Sequence, residues 1–344
     1  MISKSLFLSH SFSVIYNIDI DERGVLMKNT IVENGQTKLL TPQQRKWLNI
    51  WKHREFYMFC LPGIIAAIIF QYVPMYGALM AFKKVGLGQT LETGTWLGLQ
   101  NFEKLFKLRS FIPYLKNTLW LNLWVIIVSI PVPLLLAVML NNSPSKGMKS
   151  AAQTCTYLPY MLSMVVIASL IRTFCANSYG LINVLLEKMG QSRIKFLEES
   201  GWFVPLYVIS AIWQSCGYNA IVYLAALTSI DPSVTEAATI DGASKIQRMW
   251  YIDLKLIMPT IVTMLLLRLG QIMGLSSMEK VLLLQTPGNK EVSTTLPLYI
   301  YQVGIQQAQY GFSTAVSMFN TAANLTLLFT SNWISRKLAN TSLF

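Results

Sequence analysis

Six long apolar runs dominate this sequence, near 57–82, 117–140, 153–175, 202–228, 260–284 and 310–334. A helix needs about 20 residues to cross the hydrocarbon layer of a bilayer, and each run has that length. Composition agrees: 53% of the residues are hydrophobic and only 13% charged, where a soluble domain usually carries about 25% charged residues. Mean hydropathy is +0.44. Backbone groups in lipid must pair within their own segment, so the runs are predicted to be helices, and unbroken runs of this length do not fit barrel strands. The fold class expected is all-α, a polytopic membrane protein with about six transmembrane helices. Pro62, Pro74, Pro131, Pro133 and Pro159 lie inside the first three runs and predict kinks or ends there.

The formal net charge is +12, from 28 basic and 16 acidic residues. These charges lie mostly between the apolar runs, which fits membrane-flanking segments and not nucleic-acid binding. With the amino end inside, segments 44–55, 141–152, 229–259 and 335–344 carry eleven Lys and Arg, against ten in the longer outer segments. That excess favours a cytoplasmic amino end in a plasma (inner) membrane. Residues 1–55 read as a cytoplasmic tail, 56–340 as the membrane domain and 341–344 as a carboxy-terminal tail. No cleaved signal peptide is expected, because Ser9, His10 and Ser11 interrupt the first apolar letters and no small-residue cleavage site follows. Residues 42–55 suit an interfacial helix with Trp47 and Trp51 on one face. Met27 is an alternative start.

Several chemistries find no residues to carry them. The only histidines are His10 and His53, and Cys60, Cys155, Cys175 and Cys216 each sit within an apolar run. Neither a metal site nor a disulfide framework is expected. There is no catalytic nucleophile elbow and no phosphate-binding loop, so no catalytic residue is assigned and ATP is not expected to bind this chain.

The segment from Ser229 to Ile261 is the richest in local signals. Asp231 followed by Pro232 reads as a helix cap and first turn. Glu236, Ala237 and Ala238 favour helix, and Asp241-Gly242 marks a turn or stop. A second short helix is expected from Ala243 towards Ile252, with Ile246, Met249 and Trp250 on one face. Two short, small-residued helices at an angle suit insertion into a groove of another protein, or equally an amphipathic helix on the membrane face.

Glu236-Ala237-Ala238, Asp241-Gly242-Ala243, Ile252, Leu254 and Pro259 resemble the EAA loop of ABC importer permeases. One departure is Lys255, where that loop usually has proline. GLQNFEKLF at 98–106, YLPYMLS at 157–163, YLAALTSIDP at 223–232 and YIYQVGIQQAQYGFSTAVSMF at 299–319 are similar to the oligosaccharide branch of the same family. The resemblance implies a permease working by alternating access, with two ATPase subunits that hold ATP and Mg, a second homologous permease and an extracytoplasmic solute-binding protein. It places Glu236, Ala237, Ala238, Asp241, Gly242 and Ala243 at the ATPase contact, and implies an oligosaccharide as substrate.

Polar residues inside the runs are candidates for the transport pathway: Asn122, Gln214, Tyr218, Asn219, Arg268, Gln271, Asn320 and Asn324. Amides and aromatic faces suit sugars, but polar groups also hold membrane helices together. Arg172, Glu279 and Lys280 are further ionisable candidates, the last two for an outer mouth. Arg268 and the basic outer segments (Lys83, Lys84, Lys104, Lys107, Arg109) point to an acidic sugar of the uronate or alginate type, or to docking of an acidic binding protein. The rival reading is an ion-coupled secondary transporter of small polar solutes.

Overall fold

The computed structural model describes residues 30–33, 36–39, 43, 53–274 and 278–339. Two compact units are present, Met1–Tyr76 and Gly77–Phe344. In the first, β1 (Thr30–Glu33) and β2 (Gln36–Leu39) form an antiparallel hairpin with Thr30 opposite Leu39. Helix α1 (Arg54–Ala67) follows and passes into a π turn at Ile68–Tyr72, just ahead of Pro74. Proline lacks the N–H that an α ladder needs there, and a wider turn absorbs the defect. The expected interfacial helix over 42–55, Met27 and the tail at 341–344 lie largely or wholly outside the described residues.

In the second unit, β3 (Lys83–Lys84) pairs with β4 (Thr95–Trp96). Helices α2 (Gln100–Lys107), α3 (Phe111–Ser129) and α4 (Pro131–Asn141) follow. Then come α5 (Lys146–Tyr157), α6 (Met164–Phe174), α7 (Leu181–Lys188) and α8 (Ser200–Thr228). Beyond these lie α9 (Pro232–Ile240), α10 (Lys245–Arg248), α11 (Met258–Leu269) and α12 (Met278–Leu284). The last elements are α13 (Lys290–Ser293), α14 (Leu296–Tyr301) and α15 (Tyr310–Ala339).

Among the described residues, two helical stretches are both long and apolar enough to span a bilayer, Arg54–Phe82 and Phe111–Asn141, with mean hydropathies of 1.9 and 2.7. The third run is a bent pair: Lys146–Met161 and Met164–Phe174 meet at 99°. The bend falls just after Pro159, where Leu162 is extended and the Ser163 hydroxyl accepts from Val166 N–H to start a new helix. The fourth and sixth runs form α8 and α15, of 29 and 30 residues.

The fifth run differs from expectation. It was expected as one helix over 260–284, but α11 ends at Leu269 and α12 begins at Met278. Residues 270–274 turn instead, through bonds from Gln271 N–H to Arg268 and from Gly274 N–H to Gln271. The reason lies in α15.

Helix α8 shows what solvent the fold is built for. Phe203, Tyr207, Ser210, Gly217, Ala220, Leu224 and Leu227 are buried at steps of three, four and seven, one stripe of a helix. Trp202, Ile209, Trp213, Ile221 and Val222 of the same helix are exposed. A helix apolar on its inner and outer faces alike is stable where lipid covers the outside. The stripe packs against Ala137, Val138 and Leu140 of α4 at one end, and against Leu121, Ala168, Val281 and Leu298 at the other.

Candidate functional site

The segment after α8 folds as two short helices with sharply defined ends. The Asp231 carboxylate accepts from Ser233 N–H at 2.9 Å, and Pro232 occupies the first turn of α9. That backbone bond, with the Ser233 hydroxyl, holds the Asp231 pKa below its ordinary value. At the other end, Ala243 N–H reaches Ala238 O at 3.0 Å and Gly242 N–H reaches Thr239 O at 3.1 Å. This pair of bonds is a Schellman stop, which needs a left-handed residue. Gly242 supplies it with φ +78°. Immediately beyond, Gln247 N–H donates to the Ser244 hydroxyl and Ser244 N–H donates to the Gln247 side chain, a capping box that starts α10.

The second helix departs from the sequence expectation of a continuous run from Ala243 to Ile252. It begins two residues later, keeps α geometry only to Arg248, and widens into a π turn at Met249–Asp253. Lys255, at the position where the resembled loop usually has proline, sits in a further helical turn, Leu254–Leu256. Glu236, Ala237, Asp241 and Gly242 are exposed, Ala243 is half-buried and Ala238 is buried. Ile240 is 86% exposed, and Ile246, Trp250 and Tyr251 are exposed with it. Exposed apolar side chains on a tightly stopped loop mark an interaction surface.

The underside of this loop is polar. Arg248 donates from Nη2 to Asn142 Oδ1 at 2.9 Å, and its Nε lies 3.9 Å from Asp253. Asp253 is buried, which raises its pKa above the ordinary carboxylate value; the Arg248 charge offsets only part of that. A cavity of about 270 Å³ opens here, lined among others by Asn142, Pro232, Glu236, Arg248 and Asp253.

The polar residues of the apolar runs fall into three groups. Asn320 and Asn324, one turn apart on α15, serve the broken fifth run: Asn320 Nδ2 donates to Met273 O at 2.7 Å, Asn324 Nδ2 donates to Gly270 O at 2.6 Å, and Asn324 Oδ1 accepts from Met273 N–H at 3.1 Å. These amides replace the ladder bonds that residues 270–274 lack, so a turn survives where helix was expected. Gln271, within that turn, is exposed. Arg268 donates to Asn219 Oδ1 of α8 at 2.7 Å, while among the described residues Asn122 bonds to Thr118 O of its own helix.

The third group lies at the bend between α5 and α6. Tyr218 of α8 stacks on Tyr160 with ring centroids 4.0 Å apart and planes 1° from parallel. Both rings are about half exposed. Gln214, one turn before Tyr218, donates to Leu162 O at the same bend. Arg172 donates to Leu283 O. Lys280 does not face a mouth. It is 3% exposed, donates to Tyr207 O and lies over the Tyr207 ring.

A family model described as "Binding-protein-dependent transport system inner membrane component" matches residues 129–340. This chain belongs to that family. Across the permease, 302 residues are 36% identical to the polygalacturonan/rhamnogalacturonan transport system permease protein YteP of Bacillus subtilis, covering 88% of this chain and 94% of that one. Protein LplB of the same organism is 34% identical over 299 residues, covering 87% and 94%. Among solved structures, a chain of the bacterial alginate ABC transporter in complex with an alginate pentasaccharide-bound periplasmic protein is 38% identical. It superposes with a TM-score of 0.79 and covers 87% of this chain and 100% of its own. The permease is thus a helical, multi-pass membrane component of a transport system.

Three features of this permease escaped sequence reading. The capping box had a local signal, Ser244 and Gln247 three apart before an apolar residue. Tyr160 lies in the YLPYMLS stretch, but no letter there marks it as the stacking partner of Tyr218. The burial of Lys280 runs against the usual exposure of lysine.

Proposed function

We propose that this permease moves uronate-containing oligosaccharides into the cytoplasm by alternating access, driven by a separate ATPase that docks on α9 and α10. The observation that carries the sugar reading is the parallel stack of Tyr160 and Tyr218, half exposed beside the Gln214 amide. Sugar rings lie on aromatic faces, and their hydroxyls bond to amides. Gln271 is a further polar candidate along the route. Arg268 supports an acidic cargo: it rests on a neutral amide and forms no ion pair among the described residues. The relatives point the same way, since YteP is named for polygalacturonan and the solved transporter for alginate.

For docking, Glu236, Ala237, Asp241 and Gly242 offer an exposed surface and Ala238 and Ala243 a close-packed one. ATP and Mg belong to the partner. A second homologous permease and an extracytoplasmic binding protein complete the assembly, with the amino end of this chain in the cytoplasm.

The test is uptake by proteoliposomes containing this chain and the subunits that co-purify with it. ATP-dependent entry of uronate oligomers in preference to neutral malto-oligomers is expected, weakened about ten-fold or more by Tyr218→Ala. Preference for the neutral sugars sinks the acidic cargo. Uptake driven by an ion gradient without ATP sinks the importer.

A further inference from the structure

We infer that Arg248 is a positioning residue that transmits movement of the docking loop to the membrane helix α4. The inference rests on the reading of α9 and α10 as the ATPase dock. It starts from Asn142, which ends α4. The Asn142 amide donates from Nδ2 to Val138 O, one turn back in α4, at 2.9 Å. That bond fixes the side chain and turns its Oδ1 outward. Arg248, 106 residues further along the chain, donates to this oxygen at 2.9 Å.

Nε of the same guanidinium lies 3.9 Å from Asp253, which is 5% exposed. One planar group therefore joins the last residue of α10, the end of a membrane helix and the chain leading into α11. A guanidinium can do this because its donors point along two directions of a rigid fork; an ammonium has a single charged centre. The linkage is firm at Nη2 and loose at Nε. Among the described residues Nε has no hydrogen-bond partner, and the neighbouring cavity of about 270 Å³ is also lined by Pro232, Thr235 and Glu236 of α9. When α9 and α10 shift with a docked ATPase, Arg248 has room to swing while its hold on Asn142 pulls on α4.

The experiment uses the full transporter in proteoliposomes, with ATP hydrolysis and sugar uptake measured together. The variants are Arg248→Ala, Arg248→Lys, Asn142→Ala and the exchange of Arg248→Asp with Asp253→Arg. Coupling between sites is typically worth a factor of about five or more. Arg248→Ala is therefore expected to retain the ATPase yet lower sugar moved per ATP by about that factor. Asn142→Ala is expected to do the same and Arg248→Lys to regain part of the ratio, whereas the exchange, which sets a carboxylate against the Asn142 oxygen, is expected to stay as low as Arg248→Ala.

An unchanged ratio in Arg248→Ala overturns the inference. Should Arg248→Ala lose the ATPase altogether, Asn142→Ala decides: a lowered ratio upholds the linkage and an unchanged one overturns it. A wild-type chain that retains no ATPase overturns the docking reading itself, a failure distinct from normal docking with unaltered coupling.

Discussion

Arg268 of α11 donates to the side-chain oxygen of Asn219 on α8 at 2.7 Å, tying a membrane helix end to a buried amide 49 residues away. Asn219 is 6% exposed. Replacing it with leucine leaves the guanidinium without its acceptor, at a cost of about 1–3 kcal/mol. Asn219→Leu is expected to lower the thermal midpoint in detergent, and Asn219→Asp, which keeps an acceptor and adds the opposite charge, to restore most of it.

The break after Leu269 depends on α15. Asn320→Leu and Asn324→Leu each strip backbone groups of Gly270 or Met273 of their partners. Each is expected to cost about 1–3 kcal/mol and to raise hydrogen exchange at 270–274. Asn122→Leu provides the contrast. Its amide only supplements Thr118 O within α3, so the change is expected to stay within about 0.5 kcal/mol.

Two glycines fail for different reasons when substituted. A Cβ at Gly242 meets nothing within 4 Å, but φ is +78°. Gly242→Ala is therefore expected to strain the loop by roughly 1–2 kcal/mol, with faster exchange at 241–244. A Cβ at Gly217 would stand 2.2 Å from Thr156 O. Gly217→Ala must push α5 away from α8 and is expected to lower the thermal midpoint well below that of Gly242→Ala.

Asp253 gives a pH signature. Its pKa is raised on folding by burial, so the native state holds the proton more tightly than the unfolded chain does. The resulting stability is present below the ordinary value of 3.8 and is lost as pH rises towards the folded pKa. Melting curves of the wild type and Asp253→Asn across pH 4 to 7 should therefore diverge, the variant gaining relative to the wild type as pH rises. A difference that runs the other way, or none, would show that Arg248 outweighs the cost of burial.

How much of the site was legible follows the range of the interactions. Asp231-Pro232 and Asp241-Gly242 set the limits of α9 through bonds that span two to five residues, and both were readable as letters. The Ser244–Gln247 box is equally local and could have been read. Asn320 and Asn324 could not: as a pair of amides in an apolar run, they suit a sugar path or a helix contact equally well, and only their placement against Gly270 and Met273 separates the two.

The sequence by itself determined that this protein lives in lipid, that its apolar runs become helices and that the segment after α8 folds as two capped turns. Solvent preference and short-range hydrogen bonds are properties of adjacent residues, so they are written in local order. The tertiary structure alone decided that the fifth run breaks, that Tyr218 finds Tyr160, that Lys280 is buried and that Arg248 meets Asn142. Each of these joins groups tens of residues apart, and the energy of such a contact exists only once packing has brought both partners together.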